Sequence, residues 1–211
     1  MPTLEEARAW YPDFDPVHGF DHVERVYKMA EKLALAEGAD LEIVHAAALL
    51  HDAQGSSPAG EKRGDHHNHS AEFAVAVLEK EGWTPERIAA VQTCIRGHRY
   101  RNSGEPPATI EAKILFDADK LDVLGAIGTA RTLAYAVLAH TPHFEEPSLQ
   151  YIQTGKEAPG ELHSAYHEYL FKLRNVKDRL FTKTARKIAA QRHRFLVQYF
   201  EQLKDEMHGD K

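Results

Sequence analysis

A chain of 211 residues, 43% of them hydrophobic, is long enough to bury a sizeable core as one domain, or at most two small ones; one is expected. A net charge of -6 without any Lys/Arg-rich run argues against a nucleic-acid partner, and a single cysteine, Cys94, excludes an internal disulfide framework. The opening Met-Pro-Thr-Leu-Glu-Glu lacks the basic and apolar regions of a signal peptide, and no stretch approaches about 18 uncharged apolar residues, so a cytoplasmic protein with no membrane partner is expected.

Helical periodicity dominates along the chain and strand patterns are almost absent. Trp10, Tyr11 and Phe14 read as an N-terminal segment packed on the core. Val23, Val26, Tyr27, Ala30, Leu33 and Ala34 repeat at helical spacing, and Gly38 ends that helix. From Leu41 to about Ala53 the apolar residues cover nearly every face, which predicts a helix buried all round. Residues 53–69 are rich in Gly, Ser and Pro and longer than a plain connector needs. A helix from Ser70, as N-cap, to Gly82 follows, and another opens with Thr84 and Pro85 and closes at Gly97. Cys94 within it reads as an inert core thiol. A loop over 99–108 leads to one long or kinked helix over 109–140. A third loop covers 141–161, and two helices fill 162–207 with a break near Phe181–Thr184. Tyr166, Tyr169, Phe171, Phe195, Tyr199 and Phe200 read as core or as a contact in a homodimer. Arg186, Lys187, Arg192 and Arg194 read as a solvated helix face. The sum is an all-α domain of roughly seven helices.

The chemistry concentrates at helix ends. His51 and Asp52 terminate the apolar helix, and an ionised carboxylate at its inner end is costly unless paired or bound to a cation. The plain alternative is a helix that ends at the surface with Asp52 solvated. Adjacent helical residues diverge by about 100°, close enough for His51 and Asp52 to reach one ion. His22 lies one turn before Val26 and can point along the first apolar stripe, although a lone inward histidine is more often a hydrogen-bonded core residue. Asp119 has Leu115, Phe116 and Val123 at i-4, i-3 and i+4, so Asp119, unlike Asp117, is expected on the apolar face; alone, it could equally pair with a buried arginine. Taken together, in the order His, His-Asp, Asp at the inward ends of three apolar helices, the metal reading prevails. Two imidazoles and two carboxylates suit Mn²⁺, Fe²⁺, Co²⁺ or Zn²⁺, and Mg²⁺ less naturally.

The segments HGFDHVERV, AALLHD and DADKLDVLGAIGTAR resemble the HD-domain superfamily of metal-dependent phosphohydrolases, and the C-terminal YLFKLRNVKDRLFTKTARKIAAQRHRF extends the likeness to bacterial HD hydrolases of this size. The resemblance implies a single all-α HD-type helical bundle over residues 1–211 with a central metal site, a divalent cation, Mn²⁺ first, and the ligands His22, His51, Asp52 and Asp119. In bimetallic HD phosphodiesterases two further histidines hold a second ion. His66 and His98 occupy those positions, and substrate contact, second-metal ligand and proton donor stay open for both. His67 reads as a solvated loop residue. The acidic residue that some HD nucleotidases place three positions after the His-Asp pair is Gly55 here, so no general base is identified.

The implied reaction is hydrolysis of a phosphate ester or anhydride in a small-molecule substrate, a nucleotide. Cleavage of a nucleoside triphosphate to monophosphate and pyrophosphate leads; a 5'-nucleotidase, a phosphodiesterase or a non-catalytic nucleotide-binding module are the alternatives. His66 or His98 would supply a proton, and Lys120, Arg99 and Arg101 would offset phosphate charge. A surface lysine and a solvated basic loop are the plain readings of the last three.

Overall fold

The computed structural model describes residues 1–11, 17, 19–54, 65–100 and 106–211, and among these the chain is helical without strands. The helices are α1 (Leu4–Arg8), α2 (Phe20–Glu37), α3 (Leu41–Leu50), α4 (His66–Lys80), α5 (Pro85–Gly97), α6 (Ile110–Leu121), α7 (Gly125–Leu138), α8 (Leu149–Thr154), α9 (Ala165–Phe171) and α10 (Lys183–His208), with a 3-10 segment at Leu173–Arg179. No single helix among them is long and apolar enough to cross a membrane. The chain groups into two compact units, Met1–Asp119 with Leu180–Ala185, and Lys120–Arg179 with Arg186–Lys211.

In the first unit, the stripe Val23, Val26, Ala30 and Leu33 of α2 is fully buried, as are Val44, Ala46, Ala47, Ala48 and Leu50 of α3. The all-round apolar character of α3 is thus met by burial on every side but its capped start. There the Asp40 side chain accepts from the Glu42 and Ile43 amides and is itself gripped by both terminal nitrogens of Arg87, at 3.0 and 3.2 Å. Thr84 caps α5 through the Arg87 amide with Pro85 in the first turn, as the sequence predicts. Cys94 is buried, and burial pushes its thiol up to about 12, in keeping with an inert role.

Several boundaries differ from the sequence reading. A short α1 precedes the predicted helices, started by a capping box in which Thr3 and Glu6 satisfy each other's backbone. α4 begins at His66 rather than after Ser70. Ser70 sits fully buried inside the helix, because its hydroxyl accepts from the Gln54 amide at 3.1 Å instead of capping. The predicted helix over 109–140 is interrupted at 122–124, where Gly125 takes a φ of +71°. A β-carbon on Gly128 would lie 2.1 Å from the Val123 carbonyl carbon, so only glycine permits this tight return.

Asp117 corrects the expectation drawn from the faces of α6. It is completely buried, whereas Asp119 keeps a 14% exposed side chain. The Asp117 carboxylate accepts from the amides of Phe181 and Thr182 at 2.9 and 2.7 Å and from the Thr182 hydroxyl at 2.8 Å. Phe116 meets Phe181 edge-on at 5.1 Å. A carboxylate on an apolar face is tolerated here because the two residues just before α10 bring three donors to it.

In the second unit, Tyr166, Tyr169 and Phe200 are buried, with the Tyr169 and Phe200 rings stacked at 4.6 Å, so these aromatics are core; Phe171 and Phe195 are exposed. Arg192 departs from the solvated-face reading, since its guanidinium donates to the Leu121 carbonyl. Arg131 and Asp122 form a buried pair at 2.9 Å. The predicted loop over 141–161 contains α8, capped by Ser148. Glu161 closes this region by accepting from the Ser148 amide and hydroxyl and the Ala158 amide, with His167 Nε2 at 3.0 Å. Burial opposes ionisation of Glu161, but His167, Ser148 and the Ala158 amide outweigh it and hold the carboxyl at about 2.

Two outcomes follow. Asp117→Ala strands three donors and is expected to cost roughly 2–4 kcal/mol in chemical denaturation. Because the folded Glu161 carboxyl lies below its ordinary 4.5, its contribution is complete above that value and is lost as pH falls toward 2. Glu161→Gln should flatten the acid limb of a plot of denaturation midpoint against pH.

Candidate metal centre

Five helix ends of the first unit bring their polar residues together. His22 lies in the first turn of α2, where its amide donates to Gly19 at 2.9 Å, and its side chain is 1% exposed. His51 caps the C-terminus of α3 and Asp52 follows it; His66 is the first residue of α4; His98 caps the C-terminus of α5; Asp119 lies in the last turn of α6. A helix end is rigid yet leaves the chain free to turn away, so each side chain is fixed without continuing the helix through the site.

The geometry centres on Asp52. Its Oδ2 lies 4.0 Å from His22 Nε2 and 3.7 Å from His51 Nε2, while its Oδ1 lies 3.0 Å from His66 Nε2 and 3.5 Å from His98 Nε2. His22 Nε2 is also 3.5 Å from Asp119 Oδ1. One potential ligand atom from each of His22, His51 and Asp119 lies within 4.8 Å of the others, and the same holds for Asp52, His66 and His98. Burial penalises the Asp52 anion, but the approach of the His51, His66 and His98 imidazoles prevails and holds its carboxyl well below the usual range. Burial pushes the His98 imidazole down, against the pull of Asp52.

This arrangement fits a divalent cation on two grounds. His51 Nδ1–H donates to the Ala48 carbonyl at 2.8 Å, which leaves the Nε2 lone pair facing inward, the orientation a ligating imidazole requires. That Nε2 atom and Asp52 Oδ1 are buried without an aligned hydrogen bond, a condition a bound cation relieves. Two imidazoles and two carboxylates supply the mixed nitrogen and oxygen set of a first-row metal.

Of the other sequence candidates, Arg99 places Nη1 3.3 Å from His66 Nδ1. Lys120 is the half-buried first residue of the second unit, and Arg101 and Gly55 lie outside the described residues. His67, read as a solvated loop residue, is instead half-buried in the first turn of α4, where burial and the charges of His66 and Arg99 push its pKa down. Tyr11 was not foreseen near the site. Its hydroxyl donates to the Leu49 carbonyl at 2.8 Å, and burial, reinforced by Asp52, raises its pKa well above the ordinary phenol value. Only its aromatic neighbourhood marked it in the sequence, and that pointed to packing.

Among the described residues, helices of the first unit bring His22, His51, Asp52 and Asp119 together with His66 and His98 at their ends, a candidate metal centre. The HD domain family model matches residues 19–124, and the chain belongs to the HD-domain superfamily. Membership supports metal-dependent phosphohydrolase activity in general. The chain is 32% identical to the uncharacterized protein YpgQ of Bacillus subtilis over 99% of its own length and 96% of that protein. A crystal structure of YpgQ in complex with ADP matches at a TM-score of 0.73 with 28% identity, covering 99% of this chain and 100% of that one. A Lactobacillus plantarum protein matches at 0.77 with 26% identity over 98% and 95% of the two chains. An HD-superfamily hydrolase from Bacillus thuringiensis matches at 0.64 with 29% identity over 90% and 87%.

Binding of a cation to the native state alone stabilises by about 2.7 kcal/mol when free metal is about 100 times Kd. Mn²⁺ is therefore expected to raise the thermal unfolding midpoint by several degrees, and Asp52→Asn to abolish the shift in a calorimetric scan.

Proposed function

We propose that the chain hydrolyses a phosphate anhydride of a nucleotide, taking a nucleoside triphosphate to its monophosphate and pyrophosphate, with His22, His51, Asp52 and Asp119 holding a divalent cation. The observation that carries this reading is the sharing of the buried Asp52 carboxylate. One oxygen lies 4.0 and 3.7 Å from His22 and His51, which with Asp119 form a group that could hold a cation, and the other faces His66 and His98, two imidazoles able to engage a phosphate. Support for a nucleotide comes from the ADP complex of the YpgQ relative.

When bound, the cation supplies Lewis acidity, neutralising phosphoryl charge and activating water. The chain's own residues do the rest. His51 is fixed by its bond to the Ala48 carbonyl and His22 by burial, so both would hold the cation without reorganising when a substrate phosphate arrives. His66 and His98 are the groups that hold or move a proton near the leaving oxygen. Arg99 and Arg101, with Lys120 next to Asp119 in the chain, are assigned to the charge that builds on the departing pyrophosphate.

The test is chromatographic product analysis of a panel of nucleotides incubated with the purified protein and Mn²⁺, with Asp52→Ala alongside. Monophosphate and pyrophosphate released by the wild type, and lowered at least 100-fold in the variant, are the expected result. Release of orthophosphate from a monophosphate would assign a 5'-nucleotidase, and cleavage of a diester a phosphodiesterase. Metal binding with no turnover of any nucleotide would replace hydrolysis by a binding role.

A further inference from the structure

The imidazoles around Asp52 do not share one tautomer. His51 and His98 each direct Nδ1 at a main-chain carbonyl, Ala48 at 2.8 Å and Ile95 at 2.5 Å. A carbonyl only accepts, so both rings carry their proton on Nδ1 and present the Nε2 lone pair to the site. His66 is opposed to them. Its Nδ1 lies 3.3 Å from Arg99 Nη1, and a guanidinium only donates, so Nδ1 must be the acceptor and the ring proton sits on Nε2. That Nε2 lies 3.0 Å from Asp52 Oδ1, on the side of the carboxylate away from His22 and His51.

We infer that Arg99 fixes His66 as the Nε2–H tautomer, which makes His66 a hydrogen-bond donor to an anionic phosphoryl oxygen and closes the Asp52, His66 and His98 group to a second metal ion. A metal at His66 Nε2 needs a lone pair there, hence a proton on Nδ1, which the Arg99 contact opposes. The arginine's fixed positive charge also stands beside the group that a second cation would join. Asp52 Oδ1 and His98 Nε2 alone are two ligands, too few for a closed site. Besides the phosphate charge it is assigned to offset, Arg99 thus positions the proton of His66. The inference rests on the proposed single metal centre at His22, His51, Asp52 and Asp119, and it decides among the three roles that the sequence leaves open for His66.

Long-range ¹H–¹⁵N correlation spectra of the full-length protein read the tautomer of each imidazole directly, with no dependence on metal or turnover. His66 is expected to show a protonated Nε2, with His51 and His98 showing the reverse pattern. A protonated Nδ1 on His66 would overturn the inference. Mn²⁺ binding, followed by calorimetry and electron paramagnetic resonance, provides the second readout. The wild type and Arg99→Lys are expected to bind one ion per chain, and Arg99→Ala to take up a second that is exchange-coupled to the first. Two ions in the wild type, or one in Arg99→Ala, would refute the role given to Arg99. If the wild type binds no Mn²⁺ while His66 keeps its proton on Nε2, the metal centre fails and the tautomer assignment stands.

Discussion

An ionised carboxylate enclosed by protein is among the costliest groups a fold can carry, and Asp52 is one, with imidazole nitrogens on both of its oxygens. The hydrogen bonds behind His51 and His98 turn their Nε2 lone pairs toward it, an arrangement of facing acceptors that a cation between them would relieve. The surrounding architecture answers this one demand. α2, α3, α4, α5 and α6 each end or begin at Asp52 and its partners, so that rigid elements, not loops, set the distances. Tyr11 then secures the end of α3 by taking up the Leu49 carbonyl, an acceptor that the helix itself cannot satisfy.

What the sequence made legible and what it concealed follow one line of division. Short-range rules hold well. The stripe of α2, the all-apolar α3 and the Thr84-Pro85 start of α5 are visible because cap and period lie within a few residues of each other. The placing of His22, His51 and Asp119 in one group was readable from their helix ends, whereas Asp52 falls with His66 and His98, a partition that spacing along the chain does not reveal. Long-range partners were not readable. Ser70 looked like a cap because serine usually is one, and only the distant Gln54 amide explains its burial inside α4. Arg192 looked solvated until the Leu121 carbonyl was placed beside it. Asp117 and Asp119 were ranked by the apolar residues around them, yet the more deeply buried is the one that meets main-chain amides over 60 positions away.

The tautomers of the site histidines mark the same division at atomic scale. That a histidine stands at position 66 is sequence information, but whether its ring gives or accepts a hydrogen bond depends on Arg99, 33 positions downstream. Chemically identical side chains therefore acquire opposite roles from whatever lies behind them, a carbonyl in two cases and a guanidinium in the third.

The closure of Asp117 onto Phe181 and Thr182 bears on how the polypeptide matures. The HD match ends at residue 124, but the unit that bears the site is completed only by residues 180–185. During synthesis the α6 carboxylate therefore waits for its donors until some sixty further residues have emerged, and the site-bearing half is finished late although most of it is made early. A fragment cut at the boundary of sequence similarity would leave that carboxylate buried without its donors, so the unit of inheritance and the unit of folding are not the same stretch of chain.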